Sequence, residues 1–137
     1  MSDSFITHYD VSGSALAAER TRMRTIANNI ANINTTRTSQ GGPYKRQFAI
    51  LKAEQTSSSN LEYGVSVDEI MTDSSAPRLV YDPDHPDADS NGYIALPNVD
   101  VIQEVTDMKT ATMAYQANLT VINATKQIIA RSLEIGR

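Results

Sequence analysis

Apolar residues near the start of the chain recur every three or four positions, which is the spacing of one helix face. Leu16, Met23 and Ile30 are seven residues apart, as in the seam of a coiled coil. The pattern predicts a long N-terminal helix that packs through this face. We call this face the first stripe, and its members are Phe5, Tyr9, Ser12, Leu16, Glu19, Met23, Ile26, Ile30 and Ile33.

A second stripe of the same period occupies the end of the chain and predicts a helix over residues 99–135, about 55 Å long. Asn98 or Asp100 is placed to cap its start, and Gly136 suits its end. A helix of this length is expected to protrude from so small a protein. The second stripe consists of Val101, Val105, Met108, Thr112, Tyr115, Leu119, Ile122, Lys126, Ile129 and Leu133.

A further row of large apolar residues lies beside the second stripe. Val121, Ile128 and Ile135 are seven residues apart, and they widen the apolar face beyond what one partner helix covers. We therefore expect one row to pack on the N-terminal helix and the other row to contact an adjacent subunit.

The middle of the chain has the pattern of short strands and turns. Runs at 44–51, 65–68 and 79–81 are predicted to be strands, and Ser and Asn at 57–60 indicate a flexible connector. The predicted fold is therefore mainly α with a small β part, in which long terminal helices pack as a coiled-coil-like hairpin around an irregular β-rich centre. Residues 1–36 and 98–137 form the discontinuous helical domain, and residues 37–97 form the central region.

Three asparagines lie within five positions near the end of the first predicted helix. Asn28, Asn29 and Asn32 are poor residues for a helix interior, because their side-chain amides compete for backbone hydrogen bonds. Such a cluster indicates side-chain contacts to another helix or to the turn that follows.

Composition excludes several classes of chemistry. The 137 residues include no Cys, which excludes disulfides, thiolate zinc sites and cysteine nucleophiles. The net charge of −4, with twelve acids against Arg78 alone in residues 53–107, disfavours nucleic-acid binding. No apolar run approaches the length of a membrane span, and the N-terminus lacks the pattern of a cleaved signal peptide. The expected localisation is cytosolic, or outside the cytoplasm by a route that needs no cleaved signal.

Candidate catalytic and metal-binding motifs are weak. No common nucleophile, phosphate-loop or zinc motif occurs, so neither an enzyme activity nor a cofactor is predicted. Asp87, Asp89 and Asn91 have the spacing of a calcium loop. The position of the bidentate Glu is Asn98, however, and an Asx-rich structural turn is the favoured interpretation.

One motif carries a resemblance to a known family. Residues 27–36, ANNIANINTT, resemble the N-terminal signature of the bacterial flagellar axial proteins, which form the rod, the hook and the hook-associated structures. Further segments are similar to proximal-rod members of this family, and together they extend the resemblance over nearly the whole chain. These segments are 41–44 (GGPY), the 81–89 loop with Gly92 and Tyr93, 97–100 (PNVD), 114–118 (AYQAN) and 122–126 (INATK).

The resemblance implies a structural role in the flagellar basal body. The terminal helices would form an inner assembly domain that lines a tube, and the β-rich centre would face outward. Subunits would pass through the flagellar type III export apparatus without cleavage and assemble in the periplasm into a rod that transmits motor torque. The implied partners are further copies, other rod proteins and a ring or adapter protein at the rod base, with no direct lipid contact.

Two other classes of function remain open from the sequence, namely a soluble helical adaptor or export chaperone and a calcium-binding regulatory module.

The residues expected at helix interfaces come from both stripes, the asparagine cluster and the neighbouring row. The expected interface residues are Leu16, Met23, Asn28, Asn29, Ile30, Asn32, Tyr115, Asn118, Leu119, Ile122, Ile128, Ile129 and Leu133.

Overall fold

The computed structural model describes residues 2–55 and 63–135. The connector expected at 57–60 and the helix cap expected at Gly136 lie outside the described residues. Within these residues two long helices flank four strands along the sequence, which confirms the mainly α fold with a small β part. The elements are α1 (Ser2–Ala31), β1 (Gln47–Gln55), β2 (Tyr63–Thr72), β3 (Arg78–Tyr81), β4 (Tyr93–Leu96) and α2 (Val101–Ile135).

The two helices lie side by side and run in opposite directions. At one end Lys126 Nζ of α2 lies 5.9 Å from the centre of the Tyr9 ring of α1. Midway, Thr112 Oγ1 lies 3.6 Å from Met23 Sδ. At the other end Asn29 Nδ2 donates a hydrogen bond to Glu104 Oε2 at 3.0 Å. These contacts define the antiparallel helical hairpin.

The β1–β2 hairpin lies along α1. The Gln47 amide donates to Asn29 Oδ1 at 2.9 Å, and the Val65 amide donates to Ser14 Oγ at 3.0 Å. Val65 pairs with Ala53, six residues from Gln47 in β1. The helix rises about 22 Å between Ser14 and Asn29, and the strand rises about 20 Å between its two contacts. The hairpin is therefore nearly parallel to the axis of α1.

A second small sheet closes the central region. β3 and β4 pair in antiparallel fashion, and the turn before β4 places Gly92 at a φ of 81°. Ile94 of β4 and Val99 are buried, and Pro97 between them is fully buried. The sequence pattern did not predict β4, because four residues followed by a proline give too short a periodic signal.

From Ser12 to Ile30 the first stripe is the inward face of α1, whereas Tyr9 is exposed and Ile33 lies in the turn after the helix. Ser12 and Ile26 are buried, whereas Leu16, Met23 and Ile30 are partly buried. Glu19 lies on the same stripe, and its Oε2 atom is 3.8 Å from Nη1 of Arg22. A second face of α1 is also covered, and its buried members are Ala18, Thr25 and Asn29. The periodicity thus identified the helix and one of the two faces that it buries.

The second stripe is correct in its middle and wrong at both ends. Toward its C-terminal end the exposed members are Leu119, Lys126, Ile129 and Leu133, so this part of the stripe does not pack on α1 as expected. Val101 and Val105 are exposed, and the residue that faces α1 in the first turn is the fully buried Glu104. The remaining buried residues of α2 are Ala111, Ile122 and Thr125. The sequence pattern predicts Val101 and Val105 on the buried face, because burying an ion is costly. In the structure, partners from other segments stabilise the buried Glu104 carboxylate instead.

Other boundaries differ by a few residues. Asp100 caps α2, since its Oδ1 accepts the Ile102 amide at 2.8 Å and the Gln103 amide at 3.3 Å. β1 begins at Gln47 rather than at residue 44, because the Tyr44 amide donates to the Thr35 carbonyl and not to a strand. In the part of the chain that the structure describes, neither helix is long and apolar enough to cross a membrane.

Gly92→Ala is expected to destabilise the protein more than Gly41→Ala does. Both glycines have positive φ, which costs an L-residue about 1–2 kcal/mol. A Cβ at Gly92 would also lie 2.9 Å from Tyr81 Cε2 and 3.2 Å from Pro83 Cβ, whereas one at Gly41 has no atom within 4 Å. Crowding should add about 1 kcal/mol at Gly92. Urea unfolding followed by circular dichroism measures this difference, and equal losses would contradict it.

Candidate functional site

A buried polar cluster joins the end of α1, the 44–47 segment and the first turn of α2. We call it the Asn29 node, and its centre is the fully buried Asn29 amide. Its Nδ2 donates to the Gln47 carbonyl at 2.7 Å and to Glu104 Oε2 at 3.0 Å. Its Oδ1 accepts the Tyr44 hydroxyl and the Gln47 amide, each at 2.9 Å. One side chain of α1 thus binds two other segments of the chain.

Glu104 is the charged member of the Asn29 node. Its Oε1 accepts Arg46 Nε at 2.6 Å, and its Oε2 accepts the Asn29 amide, so both oxygens have a partner. A second Arg46 nitrogen, Nη2, lies 3.7 Å from Asp107 Oδ2 on the next turn of α2. A buried carboxylate is tolerated only when it is paired and hydrogen-bonded, and this geometry meets both conditions.

Tyr44 and Asn98 complete the surroundings of the node. Burial raises the pKa of the Tyr44 hydroxyl above its ordinary value of 10.0, and the nearby Glu104 carboxylate raises this pKa further. Asn98 Oδ1 accepts the Arg46 amide at 3.3 Å, which fixes the chain just before α2 against the 44–47 segment. The node therefore positions the helices and the centre relative to one another.

The other two asparagines of the cluster have different environments. Asn32 Nδ2 donates to the Asn28 carbonyl at 2.9 Å, and Asn32 Oδ1 accepts Thr35 Oγ1 at 3.1 Å. Asn32 therefore stabilises the turn that ends α1, and Asn29 contacts the other helix, as the sequence indicated. Asn28 is exposed, and its backbone carbonyl makes the contact.

The expected interface residues of α2 divide between buried and exposed positions. Ile122 is buried against α1, and Tyr115 and Asn118 are partly buried. The exposed members follow in the second half of the helix, and the neighbouring row is exposed with them. These exposed apolar residues are Leu119, Val121, Ile128, Ile129, Leu133 and Ile135.

The acidic loop has the hydrogen bonds of a structural turn. Asp89 Oδ1 accepts the Asn91 amide at 2.8 Å and the Tyr93 amide at 2.9 Å. Asp87 accepts Thr36 Oγ1 at 2.8 Å and pairs with Arg37 Nη2 at 2.6 Å. Asp89 therefore forms an Asx turn, and the described residues contain no cluster of three metal-ligating side chains.

The sequence indicated Asn29 but not its partners. Glu104, Ala111, Asn118 and Thr125 are seven residues apart, and this row of small and polar residues faces α1. The row has the spacing of a heptad seam, but none of its members is a large apolar residue. No local sequence pattern indicates the role of Arg46, because its partner Glu104 is 58 positions away in the chain.

Comparison with known proteins gives matches over most of the chain. The model for "Flagella basal body rod protein" matches residues 10–37, and that for "Flagellar basal body rod FlgEFG protein C-terminal" matches residues 90–135. The flagellar basal-body rod protein FlgC of Bacillus subtilis is 41% identical, with 93% of this chain and 95% of that protein covered. The FlgC proteins of Borreliella burgdorferi and Salmonella typhimurium are 39% and 34% identical, with 92% and 94% of this chain and 93% and 96% of those proteins covered.

The chain belongs to the FlgC family of flagellar basal-body rod proteins. The resemblance that the sequence motifs carried is confirmed. Members of the FlgC family are structural proteins and not enzymes, so the chain is a structural subunit of the flagellar basal-body rod. Membership implies assembly with other rod and basal-body components. The comparisons do not support the adaptor, chaperone and calcium-module alternatives.

Asn29→Ala is expected to lower the free energy of unfolding by about 2–4 kcal/mol, because it leaves buried polar groups of the node without partners. Asn28→Ala is the matched control. Its side chain is exposed on the same turn of the helix, so a change of no more than about 0.5 kcal/mol is expected. Urea unfolding of the two variants gives both values. Equal effects would show that the Asn29 hydrogen bonds do not stabilise the fold.

Tyr44→Phe is expected to change how stability depends on alkaline pH. Because the folded pKa of Tyr44 is raised, its contribution is complete below the unfolded pKa and falls as the pH rises through the folded pKa. The variant loses one hydrogen bond at neutral pH, worth about 1 kcal/mol. The stability difference from the parent should therefore shrink as the pH rises above about 10, the ordinary pKa of a tyrosine hydroxyl. A constant difference over this range, measured by thermal unfolding, would contradict the shift.

Proposed function

We propose that this chain assembles with further copies and with other rod proteins into the tubular proximal rod, a drive shaft that transmits motor torque. The terminal helices, residues 1–36 and 98–137, form the inner assembly domain, and residues 37–97 face outward. Family membership supports the location in the rod. The exposed apolar residues in the second half of α2 support the assignment of the contacting surface.

The observation that carries this assignment is the row Val121, Ile128 and Ile135. The row lies beside the face that α2 packs on α1, and the β1–β2 hairpin covers α1 and not α2. Ile128 is 47% exposed in the single chain. Burial of a branched aliphatic side chain stabilises an interface by about 1.5–3 kcal/mol, and the row offers three such side chains in one line.

The expected interface residues then have two roles. Those that pack within the chain hold the helical hairpin in shape, and the exposed ones contact neighbouring subunits. The first group is Leu16, Met23, Asn29, Ile30, Asn32, Tyr115, Asn118 and Ile122. The second group is Asn28, Leu119, Ile128, Ile129 and Leu133.

The route to the rod follows from the family. The chain passes through the flagellar type III export apparatus without a cleaved signal and assembles in the periplasm, where it meets a ring or adapter protein at the rod base. The absence of cysteine from the sequence is compatible with this destination, since the chain has no thiol for oxidants there to cross-link.

Ile128→Asp is expected to block rod growth and abolish swimming while export continues. A carboxylate at a dry helix interface costs several kcal/mol, and the cost recurs at every contact between subunits. In the single chain Ile128 is half-exposed, so the isolated variant should keep the helix content of the parent. Its free energy of unfolding should lie within about 0.5 kcal/mol of the parent value. The measurements are a motility assay and detection of the variant in the periplasm.

Gln127→Asp provides the matched control. It adds the same charge one position earlier, at an exposed residue on a different side of α2. Cells with this control should swim normally. Normal swimming with Ile128→Asp would show that the row faces solvent and would overturn the proposed surface.

A further inference from the structure

The strand β3 has a free edge with two large, exposed apolar side chains. Among the described elements β3 pairs with β4 and contacts no other helix or strand. Leu79 and Tyr81 of β3 are 66% and 63% exposed. Their side chains lie on the same face of the sheet, because alternate residues of a strand point the same way. An exposed apolar edge strand is a template for pairing with another strand.

The main-chain groups of the same two residues point away from β4. The Asp82 amide donates to the Gly92 carbonyl at 2.9 Å, so the alternate positions 78, 80 and 82 direct their main-chain groups toward β4. The amides and carbonyls of Leu79 and Tyr81 therefore lie at the free edge. No hydrogen bond from the described residues reaches them. Two amides and two carbonyls are thus available to an added strand.

Prolines at both ends of β3 limit the length of the strand that this edge can accept. The next positions whose main chain would point outward are Pro77 and Pro83, and proline has no amide hydrogen to donate. A longer partner strand would leave its own carbonyls opposite these prolines without a donor. The edge therefore fits a partner strand that is as short as β3 itself.

The charges at the ends of β3 are complementary to those of a second copy of β3 in antiparallel orientation. Residues 78–82 have the sequence RLVYD, with a basic start, an apolar centre and an acidic end. When Leu79 lies opposite Tyr81 of the second copy, Arg78 lies opposite Asp82 of that copy. Neither charged side chain has an ion-pair partner within the described part of the chain. Opposite charges in directly paired positions stabilise a sheet.

We propose that two copies of this chain associate through β3, with the two strands antiparallel across a two-fold axis at Val80. The strands then form one continuous sheet in the order β4, β3, β3, β4. Each Leu79 exchanges two main-chain hydrogen bonds with Tyr81 of the other copy, and each Arg78 pairs with Asp82 of the other copy. The side chains of Leu79 and Tyr81 also meet across the two copies on the exposed face of this sheet.

Other pairings of this edge lose one of these interactions. A shift by two residues in either direction sets a proline opposite Tyr81 or Leu79, and a parallel arrangement sets Arg78 beside the same arginine of the second copy. A two-fold pair closes on itself after two copies, so it does not extend a tube. The dimer is therefore a state of the subunit outside the rod, in which an edge that could pair with unrelated strands is covered.

A cysteine on the proposed two-fold axis gives one measurement of the contact. The chain has no cysteine of its own, and the two Val80 Cα atoms should lie about 4.5 Å apart, within the range that a disulfide spans. After oxidation of concentrated samples, Val80→Cys should give roughly tenfold more covalent dimer than Met113→Cys, whose residue is exposed on α2. Equal amounts from the two variants would overturn the contact.

Charge reversal tests the register. Arg78→Asp and Asp82→Arg each set like charges opposite one another in a pair of identical copies, so each variant alone should dimerise about tenfold more weakly than the parent. In an equal mixture, the new aspartate of one variant lies opposite the new arginine of the other. Mixed dimers should therefore regain the affinity of the parent within about threefold. Sedimentation equilibrium over a range of concentrations measures these dissociation constants.

Lys109→Asp is the matched control for charge. It changes the net charge by as much as Arg78→Asp does, at an exposed residue of α2, and it should leave the dimer affinity unchanged. The contact is smaller than a standard interface, so the parent dimer should dissociate on dilution. A parent chain that stays monomeric in concentrated solution would overturn the proposal. Dimers that the control weakens equally, or that the mixture of variants does not restore, would overturn it as well.

Discussion

The structure depends on one buried carboxylate, that of Glu104. An ionised group without solvent is strongly unfavourable unless charged and hydrogen-bonding partners replace the water, and Glu104 obtains them from Arg46 and Asn29. These partners come from the end of α1 and from the segment before β1. The first turn of α2 can therefore be buried only when both segments are in place. A single electrostatic requirement thus couples the helical hairpin to the centre of the chain.

The parts of the fold that periodicity predicts are those that apolar burial stabilises. The first stripe identified the inward face of α1, and the second identified Met108, Tyr115 and Ile122 in the middle of α2. The start of α2 was predicted wrongly, because Val101 and Val105 have the apolar character that the buried Glu104 lacks. The Asn29 node could not be derived from spacing. Its members satisfy one another across as many as 75 positions, and local patterns carry no record of such partners.

α2 buries only part of its aliphatic surface within the single chain. Its inward face combines a small or polar heptad row (Glu104, Ala111, Asn118 and Thr125) with the apolar residues Met108, Tyr115 and Ile122, while Val121 and Ile128 are exposed. Apolar contacts and the hydrogen bond between Asn29 and Glu104 hold the hairpin, and much of the aliphatic surface of α2 remains exposed. Contact with neighbouring subunits would bury apolar side chains that the single chain leaves exposed. Assembly would therefore stabilise the folded subunit.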